Sequence, residues 1–356
     1  MSILLTVLMW VGIGIGGLIV CYGLWALTIA LVPMKSVKPQ PRRKSAPKRE
    51  LRLYGKREDV FFEVKGKKLA AWFHLPEKGE PPYPCIVMAH GLGGTRHLGL
   101  APRAARLQRE GFAVLAFDYR CLGDSEGEPR QLVWIPYQQE DWRAAIAYAR
   151  NREEVDADRV GLWGSSLSGG HVVQMASEDE RIGCVAAQVP LIKHSQENTG
   201  EVIRQAGGWG WLLKLAFVHA LRDLMRSRLG LSPHRVPLLG PPGTMAALPD
   251  EGAWRLYEES APDDFVNQIC ARIMLRMNRY EPIKRSATIR CPVMLGIADN
   301  DIGTTPESVV ADAERRLGKL CETRHYPTDH FGIYTSGYLE KSISDQVDFY
   351  RRHLMS

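Results

Sequence analysis

The residues whose types and spacing are best suited to catalysis lie in the run LWGSSLSGG, at positions 162–170. A short apolar stretch precedes this run and a segment of helical character follows it, which predicts a sharp turn from a strand into a helix. Small residues on both sides of a serine are typical of such a turn, because the crowded bend leaves little room for larger side chains. We expect Ser166 at the tip, in a strained backbone conformation, with Gly164, Ser168 and Gly169 leaving space around it. The pattern therefore predicts a serine hydroxyl held clear of the backbone and available for nucleophilic attack.

Three further segments carry groups that such a serine would need. A serine hydroxyl is a weak nucleophile at neutral pH, so it requires a neighbouring base, an acid that orients the base, and donors for the developing negative charge. The segments are HGLGG at 90–94, DND at 299–301 and DHF at 329–331. Along the chain the serine comes first, then the acids, then the histidine.

This order resembles that of the α/β-hydrolase superfamily. The resemblance runs from about residue 59 to residue 354. Within the superfamily, the chain is similar to bacterial esterases and Xaa-Pro dipeptidyl-peptidase-like serine hydrolases. The best-matched segments are AHGLGG (89–94), FDYRCLGDSEG (117–127), LWGSSLSGG (162–170), PVMLGIADND (292–301) and YPTDHFGIY (326–334). The resemblance implies a serine hydrolase that works through an acyl-enzyme intermediate.

The resemblance also implies roles for individual residues. Ser166 is the expected nucleophile, and His330, which lies between a short strand and the final helix, is its expected base. Asp301 is the preferred acid for orienting His330, because it follows a short apolar strand as in the family's acid turn. Asp299 stays open as the alternative acid, because the register of this turn is not fixed by the sequence.

The backbone N–H groups of Leu92 and Leu167 are the expected donors to the oxyanion. Residues expected to shape the surrounding turns are His90, Gly91, Gly164, Ser168 and Gly169. Ser168 stands where the family more often has glycine, but it is small enough for the bend to survive. Cys121 is a second departure, in a turn where glycine is also common.

The order of predicted elements favours an α/β fold. Predicted strands alternate with predicted helices, which indicates a mostly parallel central sheet with helices on both faces. About a hundred residues, 191–290, separate the predicted sixth and seventh strands, and this excess predicts a helical cap. The predicted organisation is a transmembrane anchor (1–33), a basic Pro-rich linker (34–58), the first part of the core (59–190), the crossover and cap (191–290), and the second part of the core (291–356).

The N-terminal segment predicts attachment to a membrane. Residues 3–32 form an uncharged run of 30 residues, long enough for a helix to cross a bilayer. Seven basic residues and no acid follow at 35–49, and they account for the excess positive charge of a chain whose net charge is +6. The positive-inside rule then predicts a single-pass protein with its catalytic domain in the cytoplasm, and the basic stretch suits anionic lipid headgroups rather than nucleic acid.

The sequence suggests no cofactor. The seven cysteines show no spacing typical of a metal site, and no zinc, haem or nucleotide motif is evident, so we expect free thiols and no metal. The expected partner is a small-molecule acyl ester or thioester, and the sequence leaves the oligomeric state open.

Three functions stay open at this stage. An ester or thioester hydrolase is favoured, because an apolar cap suits acyl groups. A serine peptidase or amidase of the dipeptidyl-peptidase-like type is the alternative, although no acidic pair able to bind a free amine is evident. A catalytically silent binding module is the third, disfavoured because every candidate residue of the triad is present.

Overall fold

An eight-stranded sheet forms the centre of the protein. The computed structural model describes residues 16–17, 20–42, 56–197, 199–301 and 303–355. The strands are β1 (Glu58–Val64), β2 (Lys67–His74), β3 (Tyr83–Ala89), β4 (Ala113–Phe117), β5 (Val155–Ser165), β6 (Ile182–Gln188), β7 (Val293–Ala298) and β8 (Cys321–Tyr326). Their order across the sheet is β1-β2-β4-β3-β5-β6-β7-β8. The β1–β2 and β2–β4 pairs are antiparallel and the other pairs are parallel, so the prediction of a mostly parallel sheet is confirmed.

Helices cover both faces of the sheet. The helices of the core are α2 (Ala101–Arg109), α3 (Ile135–Arg150), α4 (Leu167–Glu178), α9 (Glu307–Leu317) and α10 (Ser336–Leu354). Successive residues of β3 alternate between two apolar clusters: Val87 packs in the layer that contains α3, α4 and α9, and Ile86 and Met88 pack with α2 and α10. This alternation follows from the period of two in a strand, and it explains why β3 is apolar at nearly every position.

The segment between β6 and β7 forms a mostly helical layer of its own. It contains α5 (Thr199–Ala206), α6 (Trp209–Leu213), a π-helical stretch (Lys214–Ala220), α7 (Leu221–Arg228) and α8 (Glu251–Ser260), with short 3-10 turns before β7. Three apolar side chains on α6 and the π-helical stretch, Trp209, Leu213 and Phe217, are more than half exposed. The apolar residues over about 209–229 predict a helix that packs mostly against the core, and the structure differs from this prediction at these three positions.

The structure of the N-terminal segment contradicts the prediction of a membrane anchor. Residues 1–15 and 18–19 of the apolar run lie outside the described residues. Residues 20–31 form helix α1, and its Ala26 and Ala30 pack against Met225 of α7. Arginines donate to carbonyls near the end of α1: Arg222 to Ile29, and Arg226 to Ala30 at 2.9 Å. No helix in the described ranges is both long and apolar enough to cross a bilayer. The prediction of a single-pass membrane protein is therefore wrong.

The basic stretch that follows α1 is also not supported as a lipid-binding segment. Residues 43–49 lie outside the described residues. Arg42 contacts the protein itself: its guanidinium donates to the carbonyl of Pro262 at 3.1 Å, lies 3.7 Å from the Asp263 carboxylate, and stacks 4.4 Å from the ring centre of Tyr257.

The carboxyl ends of four adjacent strands point toward one edge of the sheet. β5 ends at Ser165, β6 at Gln188, β7 at Ala298 and β8 at Tyr326, and the register aligns Gln188 with both Ser165 and Gly296. Residues that follow these strands therefore gather at one place, as expected for ligand sites of open α/β sheets.

Candidate active site

Ser166 occupies a strained turn between β5 and α4. Its backbone has φ of +56° and ψ of −119°, a region that residues with a side chain rarely adopt. A Cβ at Gly164 would lie 2.2 Å from the carbonyl oxygen of Ser168, and a Cβ at Gly169 would lie 2.7 Å from Cβ of Pro190. Both glycines are therefore required by close approach of the chain. The Ser166 N–H donates to the carbonyl of Gln188 at 2.9 Å, which ties the turn to β6.

His330 and Asp301 form a partly buried pair on the loops after β8 and β7. Nδ1 of His330 lies 2.6 Å from Oδ2 of Asp301. The other oxygen of Asp301 accepts the backbone N–H groups of Gly303 and Thr304, at 3.0 and 2.9 Å. These contacts leave Nε2 of His330 as the nitrogen available to a substrate or a nucleophile.

The pair is ionically coupled. Burial alone would raise the pKa of Asp301, but the charge of His330 and hydrogen bonds from His330 and Thr304 lower it to about 2. Burial alone would lower the pKa of His330, but the Asp301 carboxylate, and to a smaller extent Asp250 and Asp329, raise it above its ordinary value. Asp301 is therefore ionised at neutral pH and stabilises a proton on His330.

The two neighbouring aspartates have other partners. Asp299, the alternative acid, is 40% exposed at its side chain, and its Oδ1 lies 2.7 Å from Nδ1 of His325. Asp329 accepts the N–H groups of Phe331 and Gly332, at 3.0 and 2.6 Å, and thereby caps the turn after His330. Of the two candidate acids, only Asp301 bonds to His330.

The 90–94 loop lies directly against the serine turn. A Cβ at Gly91 would lie 2.9 Å from Cβ of Ser166. The ring of His90 is buried and its Nδ1 accepts the N–H of Gly91 at 2.8 Å, so His90 fixes the start of the loop. Within the described part of the chain, neither the Leu92 N–H nor the Leu167 N–H has a hydrogen-bond acceptor. Two backbone donors without an acceptor therefore lie in the segments that meet at the serine turn.

Ser166 and His330 are near neighbours of the same loop but are not bonded to each other. Gly91 contacts Ser166, and His330 lies near enough to His90 for its charge to lower the pKa of that ring. Tyr334, four residues after His330, stacks on the His90 ring at 5.7 Å. Between these two described residues there is no hydrogen bond within 3.5 Å from Oγ to the imidazole. Such bonds are often long in ligand-free enzymes and shorten when substrate binds.

Several supporting residues were not predicted from the sequence. Thr304 donates to Oδ2 of Asp301 at 2.5 Å and lies 3.1 Å from Nδ1 of His330. Tyr334 bonds to Ser165, whose hydroxyl donates to the carbonyl of Gln188. The spacing of Asp301 and Thr304, with Gly303 between them, is a turn signal that could have revealed Thr304. The Tyr334 contact joins residues distant in sequence and gives no local signal.

The backbone of the turn after β4 bears on the second departure from the family pattern, Cys121 at a position where glycine is common. Cys121 has φ of +69°, in the left-handed region that favours glycine. In the same turn, the Asp118 carboxylate accepts the backbone N–H of Arg96 at 2.6 Å and pairs with the Arg96 guanidinium, which also pairs with Asp124 at 2.7 Å. Asp118 and Asp124 are therefore structural groups of the turn.

A cavity of about 340 Å³ adjoins the 90–94 loop. Gly93 and Thr95 line one side, the β4 turn lines another, and the cap contributes residues that include Phe265 and Val266. Neither Ser166 nor His330 lines it, but Gly93 directly follows Leu92. The cavity therefore touches the 90–94 loop at Gly93, one residue beyond Leu92.

All seven cysteines lie in described residues and are free thiols. Cys85 and Cys184, on β3 and β6, are fully buried, and burial raises the pKa of the Cys85 thiol to about 12. These thiols serve as core packing groups.

Solved structures with similar folds are α/β hydrolases and esterases. The α/β hydrolase GrgF from Penicillium sp. sh18 superposes with a TM-score of 0.69 at 21% identity, covering 85% of this chain and 100% of that one. The esterase Pf2001 from Pyrococcus furiosus superposes with a TM-score of 0.57 at 19% identity, covering 91% and 99%. At these identities the likeness establishes the α/β-hydrolase fold.

Sequence comparison gives the family. The X-Pro dipeptidyl-peptidase (S15 family) pattern matches residues 65–261, just over half of the chain. The quorum-quenching protein AidA of Acinetobacter baumannii is 38% identical over 296 residues, which cover 83% of this chain and 94% of that protein. The thiohydrolase aneE of Aspergillus aculeatus is 37% identical over 136 residues, covering 38% of this chain and 42% of that protein. The chain is therefore a hydrolase of the α/β-hydrolase type and belongs to the X-Pro dipeptidyl-peptidase (S15) family.

Proposed function

We propose that the protein is a serine hydrolase that cleaves a carboxylic ester or thioester through Ser166, His330 and Asp301. The observation that carries the proposal is the constellation at the sheet edge. A serine in a strained strand-to-helix turn and a partly buried histidine–aspartate pair lie near the 90–94 loop, and two unsatisfied N–H groups lie in this loop and directly after the serine. This arrangement matches what acyl transfer requires.

The mechanism has two steps. Nε2 of His330 takes the proton from Oγ of Ser166 as the oxygen attacks the substrate carbonyl, and the N–H groups of Leu92 and Leu167 hold the oxyanion. The intermediate collapses, and the leaving group departs with the proton from His330. Water then attacks the acyl-enzyme in the same way and releases the acid. Throughout, Asp301 keeps Nδ1 of His330 protonated and stabilises the imidazolium.

An acyl substrate is favoured by two observations. The cavity next to the 90–94 loop includes the apolar side chains of Phe265 and Val266 beside charged ones such as Arg130, and its apolar part suits an acyl chain. Among the relatives, one carries the name of a thiohydrolase and another that of a quorum-quenching protein, and the first name supports thioester chemistry for this site.

A peptidase is the second candidate, because the family is described by its X-Pro dipeptidyl peptidases. An enzyme of that type must bind a free amine near the scissile bond. Besides Asp301, the carboxylates that act on the pKa of His330 are Asp250 and Asp329, and each accepts at least one backbone N–H of its own turn. Carboxylates already engaged in this way are less suited to bind an amine, so the ester or thioester is preferred.

The test combines labelling and turnover on the full chain. We expect a fluorophosphonate probe to label the wild type and not Ser166→Ala, and we expect hydrolysis of p-nitrophenyl acyl esters to depend on Ser166 in the same way. A glycyl-prolyl p-nitroanilide measured in parallel distinguishes the peptidase. A folded wild type that neither reacts with the probe nor turns over either substrate would contradict the proposal and favour a silent binding module.

A further inference from the structure

A buried chain of polar groups connects the serine turn to the 90–94 loop. Nε1 of Trp142 donates to the hydroxyl of Tyr119 at 2.7 Å, and the Tyr119 hydroxyl bonds to Oγ of Ser168. Oγ of Ser168 in turn donates to the carbonyl oxygen of His90 at 2.5 Å. The side chains of Trp142, Tyr119 and Ser168 are all at most 1% exposed, so water does not compete for these bonds.

The direction of every hydrogen bond in this chain is fixed by chemistry. An indole N–H can only donate and a carbonyl oxygen can only accept, whereas each hydroxyl has one proton to give. Ser168 uses its proton on the His90 carbonyl, so it must accept from Tyr119. Tyr119 in turn accepts from Trp142. The chain has one proton arrangement, and each hydroxyl holds the next in place.

The last two members of this chain, Ser168 and His90, belong to the two backbone segments that carry the unsatisfied N–H groups. Ser168 directly follows Leu167, and His90 lies two residues before Leu92. The Ser168 hydroxyl therefore bonds together the two backbone segments that carry these donors. A glycine or alanine at position 168 could not make this bond.

We propose that Ser168 is a positioning residue that sets the spacing between the N–H groups of Leu92 and Leu167, with Tyr119 orienting its hydroxyl. This inference rests on the proposed function, because the spacing matters only if the two groups hold an oxyanion. Preorganised donors stabilise charge that develops in the transition state, and displacement of one of them weakens transition-state binding more than substrate binding.

The expected effect is a loss of kcat with little change in KM. Removal of a whole oxyanion donor lowers kcat by about 100- to 1,000-fold, so a loosened donor in Ser168→Ala should lower it by roughly 10- to 100-fold. Tyr119→Phe keeps the Ser168 hydroxyl but removes the hydrogen bond that orients it, so the decrease in kcat should be smaller than in Ser168→Ala. The double variant should be no slower than Ser168→Ala alone, because both changes act on one chain.

The experiment measures ester turnover and inhibition by a trifluoromethyl ketone in these three variants of the full chain. The ketone adds to the serine and forms an oxyanion, so its affinity should fall by about the same factor as kcat/KM. Ser177→Ala is the matched control: it lies on the same helix and loses a bond to the carbonyl of Gln174, away from the 90–94 loop. Its kinetics should match the wild type.

Two outcomes separate this inference from the proposed function. If the wild type is active and Ser168→Ala stays within twofold of it in kcat and in ketone affinity, or changes only KM, the inference fails and the proposed function stands. A wild type that is neither labelled nor active overturns both. If Ser168→Ala does not fold, Tyr119→Phe decides: unchanged kcat and ketone affinity in that nearly isosteric variant overturn the inference.

Discussion

The pairing of His330 with Asp301 has a direct consequence for pH dependence. A general base must be neutral before it can accept a proton, and the Asp301 carboxylate raises the pKa of His330. Activity through His330 should therefore rise with pH along a limb whose midpoint lies above the ordinary histidine value of about 6.5. The lowered pKa of Asp301, about 2, keeps its charge present across this whole range.

Asp301→Asn should remove this effect and most of the activity. Without the carboxylate, His330 loses its orientation and the stabilisation of its proton, so kcat should fall by about 10,000-fold and the acid limb of kcat/KM should move to lower pH. The pH profile of p-nitrophenyl ester hydrolysis checks both effects. Asp299→Asn is the matched control, because Asp299 pairs with the exposed His325 and its loss should leave the profile unchanged. Equal losses in the two variants would contradict the choice of Asp301.

The candidate residues were predictable only in part. Ser166, His330 and Asp301 stand in segments whose order and neighbours resemble those of a known superfamily, so the sequence alone suggested them. The contacts that orient them come from residues far along the chain: Tyr334 on Ser165, and Tyr119 on Ser168. Such contacts depend on how β4, β5 and the final loop pack together, and no local pattern in the sequence predicts them.

Among the elements, the serine turn depends most on close packing. Gly164 lies near the end of β5, just before the chain turns into α4. A side chain at this position would clash with the backbone of Ser168, which is not a flexible group. The backbone cannot move away without shifting α4, which carries the Leu167 N–H at its first residue. The shape of the turn and the position of this donor are therefore linked.

Gly164→Ala should accordingly destabilise the protein and abolish turnover. Its Cβ would lie 2.2 Å from the Ser168 carbonyl oxygen, and we expect a loss of about 2 kcal/mol in the free energy of unfolding, as for overpacked cores. Urea unfolding and ester turnover check this. Gly200→Ala on α5 is the control: no atom lies within 4 Å of its Cβ, and alanine favours a helix, so stability should hold or increase. A Gly164→Ala variant as stable as the wild type would refute the packing argument.

The core elements were predicted far better than the cap. The apolar run at 113–117 predicts a strand and the helical spacing at 307–317 predicts a helix, and β4 and α9 have these bounds, because such patterns are strong where an element is buried on one or two faces. In the cap, the apolar residues over about 209–229 predict a single helix, whereas the structure has two α-helices joined by a π-helical stretch. Short elements of this kind take their shape from tertiary packing, which the sequence does not reveal.

At the scale of the whole molecule, the prediction that differs most from the structure is that of a membrane anchor at the N-terminus. Hydropathy measures how apolar a segment is, and a long apolar run fits a helix in a bilayer as well as one that packs on a protein surface. Ala26 and Ala30 give α1 a narrow small-residue face against α7, and Arg222 and Arg226 bond to its last carbonyls. Cations at a helix C-terminus are also favoured by the helix dipole.

Ala30→Phe should detach α1 from α7. Ala30 is fully buried, so a phenyl ring there has no space. Limited trypsin digestion with mass-spectrometric mapping should detect faster cleavage after Lys35, which follows α1. Leu27→Ala, at a position 44% exposed, is the control and should be cleaved at the wild-type rate. Identical cleavage of the Ala30→Phe variant and the wild type would contradict the packing of α1.

The order of the central sheet leaves β1 and β8 at its two edges. A bare edge strand offers unpaired backbone groups to any other extended chain, and charged side chains discourage such pairing. β1 carries exposed Glu58, Asp59 and Glu63, and β8 carries Glu322 and Arg324. A strand arriving from another molecule at either edge would have to desolvate these charges. The sheet is thereby protected against growth by edge-to-edge aggregation, even though the strands inside it are almost wholly apolar.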